Sequence, residues 1–360
     1  MKSIKKRMAG RRDSLISFGI VILAYIVIQI MISTGNISSS LKGQLVPICA
    51  YIVMAVSLNL TVGFLGELSL GHAGFMSVGA FTGIVVTTSL AQAIPSAPLR
   101  LAIAMIIGGI FAAVAGVIVG VPVLRLKGDY LAIVTLAFGE IIKNIINVLY
   151  IGMDGNGLHF SLLEQRFALE DGGKMIINGP MGVSGVTKIS SFTSGIILIL
   201  ITLFLILNLV HSRTGRAVMS VRDNRIAAES IGISATRYRL LAFVISAAFA
   251  GMAGTLYAMN FSTVTANKFD FNTSILVLVF VVLGGLGNIW GSIIAAALLT
   301  VLPELLRGLN DYRMLIYAIL LIVMMIFNNS VRKKHLLEKR AARRAGDPQK
   351  KTELSDKEEV

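Results

Sequence analysis

The sequence predicts an all-α polytopic membrane protein of about ten transmembrane helices, two of them in glycine-broken segments. Three observations carry that prediction. Of 360 residues, 55% are hydrophobic and only 14% charged. With a mean hydropathy of +0.79, this is more apolar sequence than a soluble core requires and what repeated spans of about 20 apolar residues demand. The formal charge of +14 is not spread along the chain. It is gathered in short stretches beside apolar runs, as membrane orientation requires, so nucleic acid is not the implied partner. Parity is the third observation. Residues 1–12 carry six Lys or Arg, 211–239 carry six Arg, and 332–344 form another dense basic group. Even numbers of apolar runs separate these three stretches, so all three fall on one side, the cytoplasmic one by the positive-inside rule.

Taken in order, the spans fall at about 14–33, 44–63, 72–92, 99–122, 129–150, 191–212, 238–260, 273–287, 290–307 and 312–330. A basic cytoplasmic tail, 1–13, precedes them. The first apolar run is long for a secretory signal and lacks a clear small-x-small cleavage site, so it reads as a retained span. Arg125 and Lys127 then fall inside, and the connection 152–190 falls outside. That connection is rich in glycine and ends in NGPMGVSGV, which reads as turns rather than helix. The spans form one transmembrane domain, 14–330. The final stretch, 331–360, shifts from basic to acidic with little to bury, and reads as a solvated cytoplasmic tail.

Two lines of small residues recur at every fourth position: Gly108, Ala112, Gly116, Gly120, and Ser246, Ala250, Gly254, Ala258. In lipid, where apolar surfaces gain little by meeting, such lines let helix backbones approach and pack. Two spans are interrupted, by LGELSLGHAGF at Leu65–Phe75 and LGGLGNIWGS at Leu283–Ser292. Unwound backbone at membrane depth must be buried in protein or line a watery cavity. Broken segments in both halves of a bundle point to a transport route. The other reading makes them tight cytoplasmic turns.

Glu140, Lys143, Asn144 and Asn147 share one stripe of the fifth span. An ionised group there costs about 2.5–3.5 kcal/mol near the bilayer centre, so the stripe should face protein or a cavity. It marks either a translocation path or a polar clamp between helices. Asp129 and Tyr130 anchor the start of the same span. Glu67 and His72 stand in the first glycine break, and Gly284, Gly285, Gly287 and Asn288 in the second; all belong to the candidate path. His72 has too few neighbouring ligands for a metal site, and no cofactor is implied. The sequence contains no GxxxxGK[ST] phosphate loop and no arguable Ser-His-Asp or Cys-His arrangement. Cys49, the only cysteine, lies in an apolar run and excludes a disulfide framework. A plausible path is present without an energy source of its own.

The loop 213–237 contains a short helix with readable ends. Asp223 or Asn224 can cap it, Ala227, Ala228 and Ile231 give it a small apolar face, and Gly232 can stop it in the left-handed conformation. About two turns are too few to stand alone in water, so the helix lies either on its own bundle or in a partner.

Four stretches, LSLGHAGFMSVGAF, GDYLAIVTLAFGEI, RDNRIAAESIGISATRYRLLAFVISAAFAGMAGTLYA and GGLGNIWGSIIAAALL, resemble the M-type permease subunit of branched-chain amino acid ABC importers. The likeness runs in the same order from about residue 45 to 310. It departs at Asn288 and Ser292, where the usual glycine motif GGxGTxxGPxxGA has Thr and Pro. The resemblance implies a multi-pass subunit of the bacterial cytoplasmic membrane, with both termini cytoplasmic, moving leucine, isoleucine and valine. Implied partners are a second related permease, two cytosolic ABC ATPases that hydrolyse the ATP, and an extracytoplasmic amino-acid-binding protein. AAESIG, Ala227–Gly232, matches the family's ATPase-docking loop, so Arg222, Asp223, Arg225, Ala227, Ala228, Glu229 and Gly232 become candidate coupling residues. Urea importer permeases share much of this pattern, which keeps urea and short amides as an alternative cargo. A stand-alone secondary transporter, coupling Glu140 and Lys143 to an ion, is the competing class, and a membrane enzyme lacks a convergent nucleophile or metal cluster.

Overall fold

The computed structural model describes residues 2–35, 38–126, 129–154, 157–164 and 173–306, and positions 315, 318, 319 and 322; side chains are described from residue 18 onward, Asp129 excepted. Among these residues eleven α-helices follow one another: α1 (Lys2–Ser33), α2 (Ser39–Asn59), α3 (His72–Ser89), α4 (Ala97–Val123), α5 (Asp129–Asn147), α6 (Phe192–His211), α7 (Arg213–Asp223), α8 (Arg225–Ser230), α9 (Ala235–Ala258), α10 (Phe271–Gly284) and α11 (Ile289–Leu305). All but the last residue of α11 lie in one compact unit, Met1–Glu304, and the second unit is Leu305–Val360. Positions 315, 318, 319 and 322 are helical. The expected span at 312–330 otherwise lies outside the described residues, as do Lys127 and the expected tail 331–360.

Among the described residues six helical stretches are long and apolar enough to cross a membrane: Ser39–Leu65, Ala97–Val123, Tyr130–Asn147, Phe192–His211, Ala235–Ala258 and Ala266–Gly284. Phe18–Ser33 and Ile289–Leu305 are shorter apolar helices. The chain is a helical, multi-pass membrane protein. Polar side chains set several of its helix starts. Ser191 and Ser194 form a reciprocal capping box on α6, and Asp270 accepts from the Thr273 amide at 2.9 Å to start α10.

Helix α9 sits at the middle, packed on α2, α3 and α4. Its small residues grip neighbours on two sides. A Cβ on Gly251 would collide with Ala112 and with the backbone at Gly108, and one on Gly116 would meet Ala247 at 2.8 Å, so the small line of α4 lies on α9. The small line of α9 turns the other way. A Cβ on Gly254 would run into the backbone of Met76 in α3, and the Ser246 hydroxyl donates to the Ser57 carbonyl of α2 at 2.5 Å. Thr255 Oγ1 donates to the Gly79 carbonyl at 2.8 Å. Close backbone approach plus interhelical hydrogen bonds is how helices hold together where water exclusion gives no drive.

The connection between α5 and α6 is not merely turns. It carries three antiparallel strands in the order β2-β1-β3: β1 (Leu149–Asp154), β2 (Gly157–Leu162) and β3 (Lys174–Asn178). A two-residue strand, β4 (Val183–Ser184), pairs with β5 (Thr263–Val264) after α9. The glycine-rich tail of this segment still supplies its turn: Gly179, Gly182 and Gly185 all have positive φ.

Candidate functional site at the glycine breaks and the loop helices

The loop after α6 folds as two helices, not one. Ser212 starts α7 by accepting from the Gly215 amide at 3.1 Å. Asn224, not Asp223, caps α8, its Oδ1 accepting from the Ala227 amide at 3.1 Å; Asp223 instead holds Arg222, which donates to it through Nε and Nη2, both at 3.0 Å. Gly232, at φ +85°, ends α8, with its amide and that of Ile233 returning to Glu229 and Ala228. Arg225 and Glu229 pair at 3.0 Å on the outside.

The side chains of α8 correct one expectation. Ala228 is buried against Val221, Ala235 and Ile233, so it packs on its own loop and is not part of an outward small face. Ala227 is exposed, and the large apolar groups facing out are Ile226 (80% exposed) and Ile231 (74%). One face of the short helix is held by the bundle and the other is left bare.

The first glycine break meets this loop, and the second meets the first. Helix α2 widens to a π-helical turn over Leu60–Leu65 and leaves it at Gly66, φ +79°. Asn59, wholly buried, accepts from the Gly287 amide through Oδ1 and donates from Nδ2 to Ser292 Oγ, both at 2.9 Å. The second break is the turn at Gly285–Asn288 between α10 and α11, with Gly285 at φ +96° and Gly287 at φ +77°. Gly284 lies so close to Gly291 and Ser292 that a side chain there has no room, and Asn288 accepts on its carbonyl from the Ser292 hydroxyl at 3.1 Å. Arg222 Nη1 donates to the Gly63 carbonyl at 3.0 Å. Both breaks are therefore helix connections gathered at the α7–α8 end of the bundle.

Glu67 and His72, neighbours in sequence, find different partners. Glu67 pairs with Arg239 of α9, whose Nη1 also donates to the Leu124 carbonyl at 2.8 Å. Burial raises the Glu67 carboxyl above its ordinary range, and the adjacent Arg239 guanidinium offsets part of that. His72 is buried with Nε2 2.9 Å from Ser57 Oγ. Among the described residues no cluster of His, Cys, Asp or Glu could hold a metal.

The stripe of α5 lies apart from this end. Glu140 and Lys143 form an ion pair one turn apart, their side chains 33% and 17% exposed. Asn147 donates to Asn267 Oδ1 at 3.4 Å, and Asn144 and Tyr130 are exposed. The pair halves the problem of charge in a span, because each group neutralises the other. Sequence reading missed Asn59, Arg239 and the reach of Arg222. For Asn59 the available signal is a lone amide inside the apolar run SLNLTVGFL.

The model of the family described as branched-chain amino acid transport system, permease component, matches residues 40–327. The chain belongs to this permease family. It is 37% identical over 320 residues to the high-affinity branched-chain amino acid transport system permease protein LivM of Salmonella typhimurium, covering 85% of this chain and 72% of that one. To the LivM protein of Escherichia coli it is 39% identical over 287 residues, 77% of this chain and 66% of that protein. The LivH permease protein of Salmonella typhimurium is 22% identical over 297 residues, 80% of this permease and 93% of that chain. No solved structure matches the permease significantly.

Proposed function

We propose that this permease is one membrane subunit of an ATP-driven importer of branched-chain amino acids. The identity of 37–39% to two LivM proteins over most of the chain is the observation that carries the reading. The absence of a phosphate-loop sequence from all 360 residues supports a reading in which separate subunits hydrolyse the ATP. In this reading the chain crosses the bacterial cytoplasmic membrane about ten times with both termini cytoplasmic. The α7–α8 loop faces the cytosol, and the sheet-bearing connection faces outward, where a binding protein delivers substrate.

The half-buried Glu140–Lys143 pair and exposed Asn144 favour a protein neighbour on that face of α5. Lipid there would leave each charge at a cost of about 2.5–3.5 kcal/mol near the bilayer centre. A second related permease, of which the LivH likeness is the sign, would cover it and form the path with it. Glu140, Lys143, Asn144 and Tyr130 would line that path, with Asp129 at its inner mouth. Glu67, His72 and the 284–288 turn then act at its cytoplasmic end.

The test is reconstitution into proteoliposomes with a LivH-type permease, two ABC ATPases and a binding protein. Labelled leucine should enter only with ATP inside and all subunits present, with urea failing to compete. Uptake by this chain alone on an ion gradient would sink the reading.

A further inference from the structure

One line of hydrogen bonds and one close packing contact runs from the surface of the loop to the interior of the second glycine break. Its outer end is Arg222, with a side chain 39% exposed. Asp223 fixes two of its nitrogens on α7, and the third reaches Gly63 O at 3.0 Å. The stem of Arg222 fills the space above Gly66, where an added Cβ would sit 2.6 Å from Cγ. Gly63 belongs to the π-helical turn, and such turns recur at functional joints of helices. A side chain on Gly63 would strike both Asn59 Oδ1 and the amide of Gly287. Asn59 then holds Gly287 and Ser292 at 2.9 Å each.

The turn so held borders open space. Gly287 and Asn288 line a cavity of about 170 Å³ together with Phe64, His211 and Trp290. A turn of positive-φ glycines, clasped by a buried amide and bordering open space, can shift without dismantling a packed core.

We infer that Arg222 is a positioning residue which, through Gly63 and Asn59, sets the seat of the α10–α11 turn according to the position of the α7–α8 loop. The transport consequence rests on the proposed reading of that loop as a surface met by an ATPase. The structural consequence does not. The named contacts connect three elements, and amide exchange tests for the shift between two arrangements that such a link requires.

Amide exchange of the full chain in lipid nanodiscs, without other subunits, tests the link. Arg222→Ala should accelerate exchange in residues 284–292 by about tenfold, within the range linked sites show, as well as in 60–66. Arg222→Lys, which retains a donor for Gly63 O, should restore protection in both. Asn59→Leu should release 284–292 and leave 213–230 as in the wild type. Acceleration confined to 60–66 in Arg222→Ala overturns the inference, because the contact is then local. In the reconstituted complex, Arg222→Ala should lower leucine taken up per ATP hydrolysed, and an unchanged ratio counts against the link. If wild-type complex shows no ATP-dependent uptake at all, the proposed function fails while the exchange result still decides the link.

Discussion

Glu67 and Arg239 place opposite charges where neither could be left alone. Their side chains are 16% and 6% exposed, so the pair is largely withdrawn from water. Removing one member of such a pair typically costs about 3–5 kcal/mol, because the survivor stays buried, whereas replacing both with apolar groups is often near neutral. Glu67→Leu should therefore lower the melting temperature of the purified permease sharply. The double variant Glu67→Leu/Arg239→Leu should recover a large part of the loss, less what the Leu124 carbonyl contact contributes. Equal melting temperatures for single and double variants would show that the charges do not depend on each other. His72 illustrates the contrast: its partner is the Ser57 hydroxyl, so it needs no counter-charge.

At the scale of helices, glycine spacing acts only where two backbones touch. A Cβ on Gly79 of α3 would lie on the backbone of Gly251 in α9, while one on Gly19 of α1 meets nothing within 4 Å. Gly79→Val should cost at least the ~1–3 kcal/mol of ordinary overpacking and reduce the yield of monodisperse protein. Gly19→Val should match the wild type on the same size-exclusion column. Equal profiles for both would mean that the α3–α9 contact is loose.

Much of this layer was legible beforehand. The spacing of Gly108, Ala112, Gly116 and Gly120 marks a packing face, and Gly232 marks the end of α8, because each depends on local backbone geometry. What the spacing does not carry is the neighbour: nothing local says that α4 meets α9 or that Asn59 meets Gly287, 228 residues away. The sheet was illegible for a related reason. Its strands are five or six residues long, and their pairing is settled by register rather than composition. The inward turn of Ala228 escaped for want of α7, whose Val221 supplies the other wall.

In the proposed assembly, the surface offered to an ATPase is the bare side of α8. Ile226 projects from a helix of six residues and Ile231 from the position just after it, while the opposite side is already filled by Val221, Ala235 and Ile233. Two large apolar groups left bare on a polar loop outside the long apolar helices suit burial in a protein groove. Arg225 and Glu229 stand beside them and suit a polar rim. Central apolar anchors of this kind cost about 2 kcal/mol or more when lost, roughly a thirtyfold loss of affinity. Ile226→Asp/Ile231→Asp should thus release the ATPase subunits on co-purification while leaving the melting temperature of the permease unchanged, since neither side chain contributes to its packing. Ala228→Trp should behave differently. It overfills the space beside Val221 and Ala235, so proteolysis within 222–234 should rise before any question of docking arises. Full retention of the ATPases by the double aspartate variant would remove α8 as the docking element. A double variant with a lowered melting temperature would instead place both isoleucines inside the permease's own fold.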